Sequence, residues 1–136
     1  QLALESMLEN NWGRVVNIAS VASLRGFPYV SGYCASKHAV LGMTRALALE
    51  VAPQGITVNA VCPGYADTDI VRNAIAGIVS KTGRTEADAM QHFTESNPQG
   101  RLVEVTEVAS AVSWLCSEGA ASVTGQAIAI DGGGTA

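Results

Sequence analysis

The stretch Gly55–Gly64, GITVNAVCPG, decides the fold. Ile56 to Cys62 form a β-branched run of the kind a strand buried in a parallel sheet requires, and Pro63-Gly64 breaks it. Pro53 and Gly55 also close off what comes before, Tyr33 to Val51, about five helical turns rich in Ala and Leu. Upstream of that helix lies a second β-branched run, RVVNIAS (Arg14–Ser20), with Val15, Val16 and Ile18.

Farther out the alternation continues. Leu2, Leu4, Met7 and Leu8 are apolar at helical spacing, and Asn10, Asn11 and Gly13 end that helix. Downstream, the polar segment from Thr68 to about Ser96 reads as two short helices, Asp69–Val79 and Thr85–Thr94, separated by KTGR. A firmer helix then aligns Val105, Val108, Ala109, Val112, Leu115 and Cys116 on one face, with Thr106 and Glu107 in its first turn, and Gly119 ends it. QAIAID (Gln126–Asp131) is the third strand, closing on Gly132-Gly133-Gly134. Strands alternating with helices at this spacing predict an α/β domain, a doubly wound (Rossmann-like) parallel sheet of about three strands with helices on both faces. Three strands are few for such a sheet, and the first has an open edge. The expectation is therefore the C-terminal half of a Rossmann-like domain, residues 1–136, with an N-terminal half absent and the isolated piece marginally stable.

Composition narrows the classes. The 136 residues are 48% hydrophobic and 15% charged, with 14 glycines, which fits a globular chain and excludes a disordered one. The net charge of −4 offers no basic stripe for nucleic acid. Cys34, Cys62 and Cys116 are widely spaced and odd in number, so neither a disulfide framework nor a zinc site is expected, and a reducing cytoplasm fits. No membrane segment, targeting segment or metal site is read.

The chemistry concentrates in SGYCASKHAV (Ser31–Val40). Tyr33 and Lys37 are four apart and share one helical face. A phenol ordinarily titrates near 10, and an ammonium close by favours its ionised form, so such a pair is a candidate general acid or base. Ser20 closes the first strand, at the end where open parallel sheets bind ligands. By chance alone, Tyr-x-x-x-Lys is common, and most strand-end serines only cap the next turn.

Several ordered motifs together are more specific. Ser20 in NIAS, thirteen residues to Tyr33 and then Lys37 in YCASK resemble the Ser and Tyr-x-x-x-Lys pattern of the short-chain dehydrogenases/reductases. GITVNAVCPGYADT is similar to that family's strand and Pro-Gly-x-x-x-Thr motif, here Pro63, Gly64 and Thr68. The stretch Gly100–Gly133 is similar to its closing helix, strand and Asp-Gly-Gly turn.

The resemblance implies an NAD(P)-dependent oxidoreductase interconverting a ketone and a secondary alcohol, nearest in look to 3-oxoacyl reductases, polyketide ketoreductases and 3-hydroxybutyrate dehydrogenases. It implies Tyr33 as proton donor or acceptor, Lys37 as its electrostatic partner and ribose contact, and Ser20 as the substrate-oxygen contact. Pro63, Gly64, Ala66 and Thr68 would receive the nicotinamide carboxamide. Residues 66–100 would cover a small carbonyl or alcohol substrate, and subunits would pair as homodimers or homotetramers. A glycine-rich phosphate turn and the residue choosing NAD or NADP are expected upstream of Gln1. Gly132–Gly134 is no substitute, since it follows a last strand.

Other readings stay open: a non-catalytic interaction module, or an epimerase or dehydratase on the same fold. Ala35, Ala39, Gly42 and Ala46 form a small-residue stripe that allows close helix approach. Lys81, Arg84, Arg72 and Arg101 are candidates for the phosphates of an acyl carrier. His38, His92 and Cys34 read as packing or surface residues, and Trp12 and Trp114 as core or interface aromatics.

Overall fold

The computed structural model describes residues 2–136. Five helices, α1 (Leu2–Asn10), α2 (Ser31–Val51), α3 (Asp69–Thr82), α4 (Glu86–Thr94) and α5 (Val105–Leu115), alternate with three strands, β1 (Gly13–Ile18), β2 (Ile56–Pro63) and β3 (Ala127–Ile130). The strands are parallel in the order β1-β2-β3, with Gly13 opposite Ile56 and Cys62 opposite Ala129. The expected α/β parallel sheet is therefore present, and β1 has a neighbour on one side only.

Strand β2 is the middle of the sheet and its residues from Ile56 to Cys62 are all buried, as its β-branched composition requires. Its side chains alternate between two layers. Ile56 and Val58 pack with Ala48 and Val51 of α2 and with Met7 of α1, and Ala60 and Cys62 pack with Leu41 and Ala19. On β1 the same alternation turns Val15 and Asn17 toward α2 and Arg14 away from it. Arg14 lies 4.0 Å from Glu118, just beyond α5, and α5 contacts all three strands with Leu115 fully buried. Helices thus cover both faces.

The boundaries differ from the sequence reading where capping decides them. Helix α2 starts at Ser31, two residues before Tyr33. Helix α3 runs on to Thr82, where Gly83 turns left-handed (φ 69°). Helix α5 stops at Leu115 and a separate 3-10 turn, Glu118–Ala120, precedes Ala121, so Gly119 lies inside that turn. Its start is set by Glu104 and Glu107, each carboxylate accepting the other's backbone N–H, a capping box. The apolar face expected on α5 is only partly used: Leu115 is buried, whereas Val105 and Cys116 are exposed. Strand β3 is short, and Gln126 and Asp131 fall outside it.

Residues 66–103 build a small unit of their own. Val71, Ile75, Ala89, Phe93 and Leu102 make a core separate from the two under the sheet, and Tyr65 meets Phe93 edge-on at 5.1 Å. Its two feet are joined: Asp67 N donates to Val103 O and Val103 N to Tyr65 O, both at 2.9 Å. Arg72 grips Asp67 through two bonds (2.8 and 2.9 Å), and Arg101 grips Glu107 through two at 2.7 Å.

Candidate active site

The site assembles where β1 and β2 end. The peptide joining Ile18 and Ala19 is trans, and its N–H donates to Val61 O of the neighbouring strand at 2.8 Å. The carbonyl of the same peptide therefore faces the open side of β1. Lys37 occupies it, its Nζ donating to Ile18 O at 3.2 Å. An ammonium has three N–H donors, so two remain for other acceptors.

Tyr33 stands one turn before Lys37 on α2, and Lys37 Nζ lies 5.7 Å from its ring centre. The ring is half-exposed and its hydroxyl has no hydrogen-bond partner among the described residues. Both side chains share the helical face expected from their spacing.

Ser20 follows β1 directly and is buried. Its Oγ accepts from Ala22 N at 3.1 Å, capping the 3-10 turn Val21–Ser23. The capping role that chance would assign it is real, yet it uses only a lone pair. The hydroxyl proton has no acceptor among the described residues and is available to a substrate oxygen. The backbone N–H of Ser20 points at Cys62, whose buried thiol is pushed up by desolvation, an effect partly offset by that N–H. Cys62 is thus a packed, buried thiol at the end of β2.

Pro63 ends β2, and Gly64 N donates to Ile130 O at 3.0 Å. A Cβ on Gly64 would stand 3.2 Å from the Asp131 Cβ, so glycine lets this turn lie flat on the end of β3. Beyond it, the N–H groups of Tyr65 and Ala66 have no acceptor among the described residues. Thr68 N-caps α3 without a side-chain cap bond, and its hydroxyl makes one long contact, 3.4 Å, to Ala66 O.

These donors answer a nicotinamide riboside. Two lysine N–H groups suit ribose hydroxyls, and unpaired loop amides with the Thr68 hydroxyl suit a carboxamide. The residues present therefore fit the nicotinamide end of a dinucleotide. For the phosphates, Gly132–Gly134 is a turn after β3 and opens no helix.

Other candidates separate from the site. Arg72 pairs with Asp67 and Arg101 with Glu107. His38 Nδ1 bonds Cys34 O within α2 at 2.9 Å, and His92 lies 3.7 Å from Glu95. Cys34 is buried as expected. Trp12 and Trp114 are about half-exposed, Trp12 donating to Glu118 at 3.3 Å. No cluster of three or more metal-ligating side chains occurs among the described residues, and none of their helices is long and apolar enough to cross a membrane.

Sequence reasoning missed three contributors. The Ile18 carbonyl is a backbone group and leaves no signature in residue type. Asn17 and Thr44 bond each other beneath the site at 2.9 Å. Their signal was an Asn interrupting an apolar strand face and a Thr seven residues after Lys37, on the same side of α2.

A family model described as enoyl-(acyl carrier protein) reductase matches residues 1–135. An uncharacterized oxidoreductase, YxjF, of Bacillus subtilis is 48% identical over 132 residues, covering 96% of this chain and 51% of the relative. D-beta-hydroxybutyrate dehydrogenase of Rhizobium meliloti is 38% identical, covering 98% and 52%. The 3-oxoacyl-[acyl-carrier-protein] reductase FabG of Rickettsia felis is 37% identical, covering 96% and 50%. The chain spans about half the length of the curated relatives it matches. Among solved structures, an actinorhodin polyketide ketoreductase variant with NADPH superposes with a TM-score of 0.86 at 43% identity, covering 95% of this chain and 49% of that one. Its sheet, its ordered Ser, Tyr and Lys, and a family match across nearly its whole length show that the chain belongs to the short-chain dehydrogenases/reductases.

Proposed function

We propose that this chain carries the catalytic and substrate-facing part of an NAD(P)-dependent oxidoreductase that interconverts a ketone and a secondary alcohol. The observation that carries the reading is the pairing of an uncommitted Tyr33 hydroxyl with Lys37, held at the Ile18 carbonyl beside Ser20.

In the reductive direction Ser20 donates a hydrogen bond to the carbonyl oxygen. Tyr33 delivers its hydroxyl proton to that oxygen as negative charge builds there, and the Lys37 ammonium stabilises the phenolate left behind. In the oxidative direction Tyr33 takes the alcohol proton back. A bound nicotinamide supplies or accepts the hydride. Lys37 also holds the ribose, and the loop from Pro63 through Gly64 and Ala66 to Thr68 orients the carboxamide. The unit from 66 to 100 covers the substrate, its separate core letting it act as one piece.

The substrate class we infer is 3-oxoacyl or 3-hydroxyacyl. Its support is that relatives named for hydroxybutyrate and for acyl-carrier-linked 3-oxoacyl groups match nearly all of this chain. Relatives bound to NADP(H) leave NAD and NADP both open. A second copy of the chain is proposed along α2, where Ala35, Ala39, Gly42 and Ala46 are exposed and a Cβ on Gly42 would meet nothing. Three free thiols suit a cytoplasmic setting.

The test is an assay of the full natural chain with NADH or NADPH against 3-oxo esters and simple ketones. The reading expects oxidation of one reduced cofactor, fastest with 3-oxo esters. No turnover with any of these substrates, alongside demonstrated cofactor binding, would sink it in favour of an epimerase or dehydratase.

A further inference from the structure

The seam between α2 and β1 is apolar along most of its length, lined by Val15, Ala19, Leu41 and Ala48. One polar pair interrupts it. Asn17 Nδ2 donates to Thr44 Oγ1 at 2.9 Å, and Thr44 Oγ1 donates its own proton to Val40 O at 2.8 Å. Thr44 is fully buried, so both halves of its hydroxyl's capacity are spent inside the protein. Because the Thr44 proton is committed to the helix backbone, the bond to Asn17 runs in one direction only.

Apolar contacts allow a helix to slide or turn slightly on a sheet at little cost, whereas a directional bond in an apolar seam fixes one register. Here the register matters. Asn17 immediately precedes Ile18, whose carbonyl receives Lys37, and lies three residues before Ser20. Thr44 lies two turns after Lys37 on the same face of α2. The bond therefore joins the strand that carries Ser20 and the lysine's acceptor to the helix that carries Tyr33 and Lys37.

We propose that Asn17 and Thr44 are positioning residues, whose hydrogen bond sets α2 against β1 so that Lys37 stays at the Ile18 carbonyl and beside the Tyr33 ring. This rests on the redox reading above. Neither residue touches substrate or cofactor, and both act through the groups they align.

The experiment uses the full natural chain and four variants: Thr44→Val, Thr44→Ser, Asn17→Leu with Thr44→Val, and Tyr33→Phe. Thr44→Val keeps the shape and removes the acceptor, stranding the Asn17 amide. It is expected to lower kcat about tenfold well below its Tm while leaving both KM values within about twofold, because misplacement acts on chemistry more than on binding. Thr44→Ser restores kcat. The double variant removes both polar groups, so its Tm recovers toward wild type while its kcat stays low.

A purely structural role predicts otherwise: kcat recovers together with Tm in the double variant, and that result overturns the proposal. So does wild-type kcat in Thr44→Val. Should Thr44→Val fail to fold, the double variant alone decides by the same split. If Tyr33→Phe keeps wild-type turnover, the redox reading falls and this inference with it. If Tyr33→Phe is inactive while Thr44→Val is unimpaired, the inference falls alone.

Discussion

Lys37 donates to the carbonyl of Ile18, a residue nineteen positions earlier, and so fastens α2 to the open side of β1 at the point where the strand ends. The contact holds a cation 5.7 Å from the Tyr33 ring without spending a carboxylate on it. A carboxylate partner would neutralise the charge that a phenolate or alkoxide needs.

Replacing Lys37 by Met therefore keeps the hydrophobic stem and removes both the charge and the anchor. Turnover is expected to fall by about 10²-fold or more, the range for losing a stabilising donor at a developing charge. Steady-state kinetics with the full natural chain check this, and unaltered kcat would separate Lys37 from the chemistry.

Ser20 is predicted to act twice. Ser20→Ala loses the cap on the 3-10 turn, at about 1 kcal/mol, and the hydrogen bond to the substrate oxygen. Ser20→Thr retains a hydroxyl for both. The expected pattern is a kcat loss of roughly 10²-fold for Ala and a much smaller one for Thr, with similar melting temperatures for Thr and wild type. Equal kcat losses in the two variants would show that the hydroxyl is not the active feature.

Acid should loosen the base of the 66–103 unit. Arg101 holds the Glu107 carboxyl down to about 2, against an ordinary 4.5, with help from the Glu104 backbone N–H. The Arg72 guanidinium likewise lowers Asp67 at the other foot. A depressed carboxyl stabilises the folded state fully above its unfolded value and loses that contribution as pH falls through its folded value. The Glu107 contribution is thus complete above about pH 4.5 and disappears toward pH 2. The protection factors of the Asp67 and Val103 amides, exchange rates corrected for the intrinsic pH dependence, should fall over that window, and Glu107→Gln should flatten that dependence. Identical profiles for Glu107→Gln and wild type would contradict the assignment.

Two packing variants test the frame. Leu115 is fully buried between α5 and the sheet, so Leu115→Ala should cost about 2–5 kcal/mol. Gly55 sits at φ 68°, and a Cβ there would stand 2.7 Å from the Asn11 carbonyl, so Gly55→Ala should cost roughly 1–3 kcal/mol. Denaturant titration measures both. A Gly55→Ala protein as stable as wild type would mean that the α2-to-β2 turn relaxes.

Most of the frame was legible in the sequence because β2 is buried on both faces and its β-branched run has no competing periodicity. The helix ends were less so. Ser31 begins α2 without a side-chain cap, and α5 is capped by a Glu pair whose reciprocal bonds no single residue announces. Ser20, Tyr33 and Lys37 were readable from spacing, since i and i+4 must share a face. The Ile18 carbonyl was not, because any residue offers one, and which way it faces depends on a sheet partner forty-three positions away. Tyr29 was equally hidden: it lies four residues before Tyr33, fully exposed, with a left-handed φ of 66° that an aromatic residue seldom adopts.

The central claim is proton transfer at Tyr33, and Tyr33→Phe tests it most directly because only the hydroxyl is removed. With the full natural chain, saturating reduced cofactor and a 3-oxo ester, the account predicts a kcat at least about 10²-fold below wild type, with cofactor affinity retained. Wild-type kcat in that variant would contradict it.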